Sequence, residues 1–158
     1  MSYAFSADDI FAMAEQIERN GAQFYRTAAE NVTDPAAKEL LIGLAGMEDE
    51  HEKTFASLRS QLSEKEKAST VFDPQNESAI YLRSLADARV FFEKEIDLAS
   101  MREILKAAVE AEKDSIVFYL GMKDLVADKL GKDKIETIIK EEMRHIRILS
   151  TELVALKK

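Results

Sequence analysis

Glu48-x-x-His51 recurs as Glu142-x-x-His145, and each pair has a glutamate 33 residues before its histidine, Glu18 in the first case and Glu112 in the second. The separations 112 − 18, 142 − 48 and 145 − 51 all equal 94, so one constant shift relates the two triplets. These are the only 2 histidines in 158 residues. Such a repeat narrows the possible folds sharply. Each half must deliver the same three side chains to one place, and two similar halves facing each other across a pseudo-twofold axis do so.

The rest of the chain follows the same shift. Ser6-x-x-Asp9 aligns with Ser100-x-x-Glu103, both readable as helix starts in which a hydroxyl and an acid cap the first turn. Ala14 aligns with Ala108, Phe24-Tyr25 with Phe118-Tyr119, and Leu41 and Leu44 with Ile135 and Ile138. Apolar residues spaced three and four apart mark four long helices. The first is expected over 6–31, with Ile10, Ala14, Ile17, Gly21, Phe24 and Ala28 on its inner face. The second is expected over 34–62, with Asp34 as cap and Pro35 in the first helical position. The third is expected over 100–130 and the fourth over 132–157, separated by Gly131, with Leu149, Leu153 and Leu156 closing the last apolar stripe. Only 5 glycines and 2 prolines, against 33% charged and 46% hydrophobic residues, favour long helices with few turns.

Residues 63–99 form a long connection whose middle contains Ala79-Ile80-Tyr81-Leu82 and Val90-Phe91-Phe92, too apolar for a disordered linker. It reads as a crossover with short helices of its own, which makes the second and third helices parallel. The expectation is therefore an all-α four-helix bundle of two hairpins joined by a long crossover, a single domain over residues 1–158.

Composition removes several function classes. A net charge of −8 makes duplex DNA and anionic membranes poor partners. With no cysteine there are no disulfides, thiolate zinc sites, iron–sulfur clusters or cysteine nucleophile. The first residues lack the basic and apolar regions of a signal peptide, and no apolar run reaches membrane-spanning length. A soluble cytoplasmic protein is expected.

Glu48, His51, Glu142 and His145 occupy positions where the apolar stripes of the second and fourth helices call for core residues, and residues at i and i+3 share a face. Glu18 and Glu112 lie beside Ile17 and Ala111 on the buried edges of the other two. A lone inward glutamate usually snorkels to water, and a lone inward histidine is usually a satisfied core residue. Two Glu-x-x-His pairs that use every histidine in the chain, with outlying glutamates at one offset, are a different matter. Buried carboxylates must be paired, protonated or metal-bound, and no lysine or arginine occupies a matching inward position. Two divalent ions balance four carboxylates, so the six residues are candidate ligands of a dinuclear centre between four helices.

The segments Glu18-Arg-Asn-Gly-Ala-Gln-Phe-Tyr25, Glu48-Asp-Glu-His51, Glu112-Lys-Asp-Ser-Ile-Val-Phe-Tyr119 and Glu142-Met-Arg-His145 resemble the rubrerythrin family of the ferritin-like superfamily. The resemblance spans essentially the whole chain. It implies a non-haem di-iron protein, often a homodimer, that reacts with hydrogen peroxide or dioxygen and serves in oxidative stress. It implies Glu18 and Glu112 as terminal ligands, Glu48 and Glu142 as bridging ligands, and His51 and His145 as terminal nitrogen ligands. Two departures stand out. Rubrerythrins proper carry a cysteine-ligated rubredoxin domain, so this cysteine-free chain requires an external electron-donor protein. They also carry a further glutamate one turn after the third-helix ligand, where this chain has Ser115, with Gly21 as its counterpart.

The carboxylate and imidazole set suits iron and manganese, and zinc accepts it too. Tyr25 and Tyr119 each follow a candidate glutamate by seven residues, and helical side chains lean towards the N-terminus, so each hydroxyl is placed to reach a candidate carboxylate. The reading that results is a di-iron oxidoreductase reducing hydrogen peroxide or dioxygen. The alternatives are a ferroxidase or iron-handling protein, and a metal-binding bundle without turnover.

Overall fold

In a computed structural model of the chain, residues 6–64, 67, 97–98, 100–126 and 128–156 are described. Four long helices account for most of them: α1 (Ala7–Asn31), α2 (Pro35–Ser60), α3 (Met101–Leu125) and α4 (Lys132–Ala155). The described residues contain no strand. The expected crossover, with its short helices, falls almost entirely outside them.

Local chemistry sets the helix starts. The Ser6 hydroxyl accepts from the Asp9 N–H at 3.1 Å, and the Asp9 carboxylate accepts from the Ser6 N–H at 3.0 Å, a complete capping box. Asp34 accepts from the Ala37 N–H at 2.9 Å, with Pro35 supplying a first helical residue that needs no hydrogen-bond partner. Ser100 accepts from the Glu103 N–H at 3.3 Å. α4 starts without a side-chain cap, at Gly131 with φ 99°, and a methyl group there would lie 2.5 Å from Leu58 Cδ2. The turn needs glycine both for its left-handed backbone and for its approach to α2.

α3 ends five residues before the expected boundary at residue 130. Val126 is extended, and a 3₁₀ turn over Asp128–Leu130 leads into Gly131. The duplication itself accounts for this end: adding 94 to the limits of α1, 7 and 31, yields 101 and 125, the limits of α3. At the far end Leu156, expected in the core, is 46% exposed, because α4 stops at Ala155 and the residue lies past its last turn.

α1 packs chiefly on α2, and α3 on α4, so each half is a helical hairpin. The buried apolar residues fall into two clusters. One joins Ile10, Phe11 and Ala14 of α1 to Phe55 and Leu58 of α2, Phe118 and Met122 of α3, and Ile135 and Ile138 of α4. The other joins Tyr25 and Ala28 to Leu41 and Leu44, Ile104 and Ala108, and Leu149. The C-terminal parts of α2 and α3 meet in the first cluster and their N-terminal parts in the second. These two helices are therefore parallel, as expected from the sequence. Each cluster draws on all four helices, and the gap between the clusters holds the buried polar residues. Among the described residues, no helix is long and apolar enough to cross a membrane.

Candidate metal centre

Glu18 comes from α1, Glu48 and His51 from α2, Glu112 from α3, and Glu142 and His145 from α4. All six are at most 3% exposed. They assemble into two overlapping groups, Glu18/Glu48/His51/Glu142 and Glu48/Glu112/Glu142/His145, with donor atoms in each group within 4.8 Å of one another. Glu48 and Glu142 belong to both groups. The shared carboxylates are the ones that the i, i+3 spacing places next to the histidines, so the layout is two half-sites with a common middle.

Both imidazoles turn Nδ1 towards the carboxylates. His51 Nδ1 lies 3.1 Å from Glu142 Oε1, 3.4 Å from Glu18 Oε2 and 3.6 Å from Glu48 Oε2. His145 Nδ1 lies 2.9 Å from Glu142 Oε2, 3.3 Å from Glu48 Oε1 and 3.4 Å from Glu112 Oε1. The two rings lie nearly parallel, with centroids 5.7 Å apart and planes inclined by 19°.

The tyrosines lock the hairpins together across the site. The Tyr25 hydroxyl donates to Glu112 Oε1 at 2.5 Å, and the Tyr119 hydroxyl donates to Glu18 Oε1. Each tyrosine thus reaches the carboxylate of the opposite hairpin. Seven residues span roughly 10.5 Å at 1.5 Å per residue, which puts the glutamate on the same helix out of reach. α1 and α3 run antiparallel, and that brings each tyrosine level with the other helix's glutamate.

The electrostatics show how unfavourable this layer is without cations. Burial, reinforced by repulsion from Glu142, Glu112 and Glu18, raises Glu48 well above the ordinary carboxylate value, and Glu142 is raised in the same way. Burial also works against the lowered value of Glu112, which the nearby His145 and Glu142 and the hydrogen bond from Tyr25 overcome. Burial opposes charge on the imidazoles, but the adjoining Glu112, Glu142 and Glu48 carboxylates outweigh it and push His145 up to about 12. His51 is raised further by Glu142, Glu18 and Glu48. Burial and the neighbouring carboxylates raise both tyrosines well above 10.0, so they stay neutral donors.

Among the described residues, four buried side-chain atoms have no hydrogen-bond partner: Glu48 Oε1, Glu142 Oε2, and Nδ1 and Nε2 of His145. Native interiors seldom leave such atoms bare. Three of the four face the shared middle of the cluster, and among the described residues no lysine or arginine pairs with any of the four glutamates. Four carboxylates and two imidazoles are hard-to-borderline donors of the kind that divalent iron, manganese and zinc accept. The residues fit a buried metal centre.

Sequence reasoning missed one neighbour. Glu141 places Oε2 2.6 Å from His51 Nε2, on the side of the ring away from the cluster. Apart from its mismatch with Met47 under the 94-residue shift, nothing in the one-dimensional pattern distinguishes it from the many surface glutamates. Gly21 and Ser115, the paired small residues one turn past Glu18 and Glu112, are both buried. The Ser115 hydroxyl donates to the Ala111 carbonyl at 3.0 Å.

No protein-family model matches the chain, and no curated protein matches it significantly in sequence. Among solved structures, it is similar to a Thermotoga maritima protein described as a candidate ferritin-like diiron-carboxylate protein. The TM-score is 0.71, the identity is 23%, and 97% of each chain is covered. A likeness of that extent and identity establishes the ferritin-like fold.

Proposed function

We propose that Glu18, Glu48, His51, Glu112, Glu142 and His145 hold two iron ions, and that the protein is a non-haem di-iron oxidoreductase reducing hydrogen peroxide, or dioxygen, with electrons from an external donor protein. The observation that carries this reading is the pair of four-residue groups sharing Glu48 and Glu142 in a fully buried layer. The diiron-carboxylate description of the Thermotoga maritima protein supports the choice of iron.

When bound, two ferrous ions supply the two electrons that cleavage of an O–O bond requires. The chain supplies the surroundings. Glu48 and Glu142 lie between the half-sites, while Glu18 and Glu112 close the two ends. Tyr25 and Tyr119 hold their protons against Glu112 and Glu18 and restrain the rotation of those carboxylates. The apolar clusters above and below exclude water from the layer. Gly21 and Ser115 keep side-chain bulk low beside it, so the space suits a small oxidant rather than an organic substrate.

The test is anaerobic loading with Fe(II), followed by stopped-flow spectroscopy after mixing with peroxide or oxygen, with and without a reduced rubredoxin-like donor. The reading requires two irons per chain and repeated turnover when the donor is present. Stoichiometric oxidation that no donor converts into a cycle assigns the protein to iron handling instead.

A further inference from the structure

The duplication is broken at a position whose side chain reaches one of the candidate histidine ligands. Glu141 and Met47 are equivalent under the 94-residue shift, since 141 − 94 = 47. Each lies immediately before a shared glutamate, Glu142 or Glu48. Glu141 accepts a hydrogen bond from His51 Nε2 at 2.6 Å. The imidazole on the other side, His145, is 0% exposed, and its Nε2 has no hydrogen-bond partner among the described residues. A methionine thioether at position 47 is at best a weak acceptor.

We infer that Glu141 is a positioning residue for His51, and that Met47 in its place on the other side makes the two metal positions unequal, the Glu18/His51 position binding more tightly than the Glu112/His145 position. This rests on the two-metal reading given above. A carboxylate can only accept, so the Glu141 contact keeps a ring hydrogen on Nε2 and reserves Nδ1, which faces Glu142, Glu18 and Glu48, as the nitrogen that gives up its proton to a cation. The contact also fixes the rotation of the ring. Carboxylates in this position behind ligating histidines typically contribute 10–100-fold to metal affinity. Glu141 can do this cheaply, because its side chain is 43% exposed and stays hydrated. His145 has no such orienting partner, so its tautomer and rotation must be selected by the cation itself.

The experiment is a Co(II) titration of the metal-free protein, followed by calorimetry and by the visible absorption of the bound ion. The wild-type protein should take up two equivalents in two resolved steps, with affinities about 10–100-fold apart. Glu141→Met should weaken the tighter step by a similar factor, merging the two while keeping the stoichiometry at two. Glu141→Gln retains an acceptor oxygen and should restore most of the separation. Met47→Glu should tighten the weaker step. In nitrogen-edited NMR, the His51 Nε2–H resonance should persist in Glu141→Gln and vanish in Glu141→Met, which no general loss of packing would reproduce. Two equivalents bound with a single affinity in the wild type, or steps unmoved by Glu141→Met, overturn the inference and leave the dinuclear reading standing. A wild-type protein that binds no Co(II) or Fe(II) overturns both.

Discussion

Replacing either cross-hairpin tyrosine by phenylalanine isolates one hydroxyl in an otherwise unchanged core. Tyr25 and Tyr119 are both fully buried, and each ring keeps its packing in the variant. What is lost is a hydrogen bond to a carboxylate, 2.5 Å long for Tyr25 and Glu112. Hydrogen bonds to charged groups contribute about 1.5–3 kcal/mol, and the bared carboxylate oxygen adds to the loss. A central value of about 2 kcal/mol is a factor of roughly 30 in the folding equilibrium. With a urea dependence of about 2 kcal/mol/M, it lowers the midpoint by about 1 M. The assay is urea unfolding of the metal-free protein followed by circular dichroism. The m-value should hold constant, and the two variants should lose similar amounts because the duplication makes their surroundings equivalent. Tyr25→Phe should also raise the Glu112 pKa, since the Tyr25 bond is one of the contacts holding it down. Midpoints shifted by less than about 0.2 M in both variants would refute the view that these bonds clamp the hairpins.

Glu48→Ala or Glu142→Ala should cut metal uptake from two ions towards one or none, whereas Glu18→Ala or Glu112→Ala should spare one position; undiminished stoichiometry in the first pair, measured by equilibrium dialysis, argues against sharing. In the metal-free protein, Glu48 and Glu142 contribute stability that is complete below pH 4.5 and declines as pH rises through their raised folded values. The raised histidines act in the same direction above pH 6.5. The melting temperature of the metal-free protein should therefore fall between about pH 5 and pH 8, and saturating metal, which needs deprotonated ligands, should flatten or reverse the slope; a metal-free melting temperature that climbs over this window contradicts the assignment. Gly131→Ala should destabilise by about 1–2 kcal/mol from its left-handed backbone alone, with more from displacing Leu58; a neutral effect in urea unfolding would show that the turn can relax.

The bundle was legible in the sequence because helical periodicity puts carboxylates and imidazoles in stripes otherwise reserved for apolar residues. The end of α3 was misjudged because Val126 and Leu130 continue an apolar pattern that the backbone does not follow. The shift of 94, applied to the first helix, marks residue 125 directly. The tyrosines were legible as residues near carboxylates, but their exchange between hairpins depends on the antiparallel placement of α1 and α3, which no local pattern encodes. Glu141 was illegible for a related reason. Its partner is 90 residues away on a neighbouring helix, and only the broken equivalence with Met47 marks the position as unusual.

The division of the apolar interior into two clusters has a consequence for what the middle of the bundle can tolerate. Each cluster, by itself, already binds all four helices to one another. Apart from the two tyrosine bonds to Glu112 and Glu18, the acid and imidazole layer between them is thus relieved of holding the fold and can stay electrostatically discontented in the absence of cations. Clamped from both ends, its side chains have little freedom to escape to solvent or to collapse on one another. The geometry that a cation meets is one imposed by hydrocarbon several ångströms away, and the chain can exchange residues within the layer to tune reactivity without renegotiating its architecture.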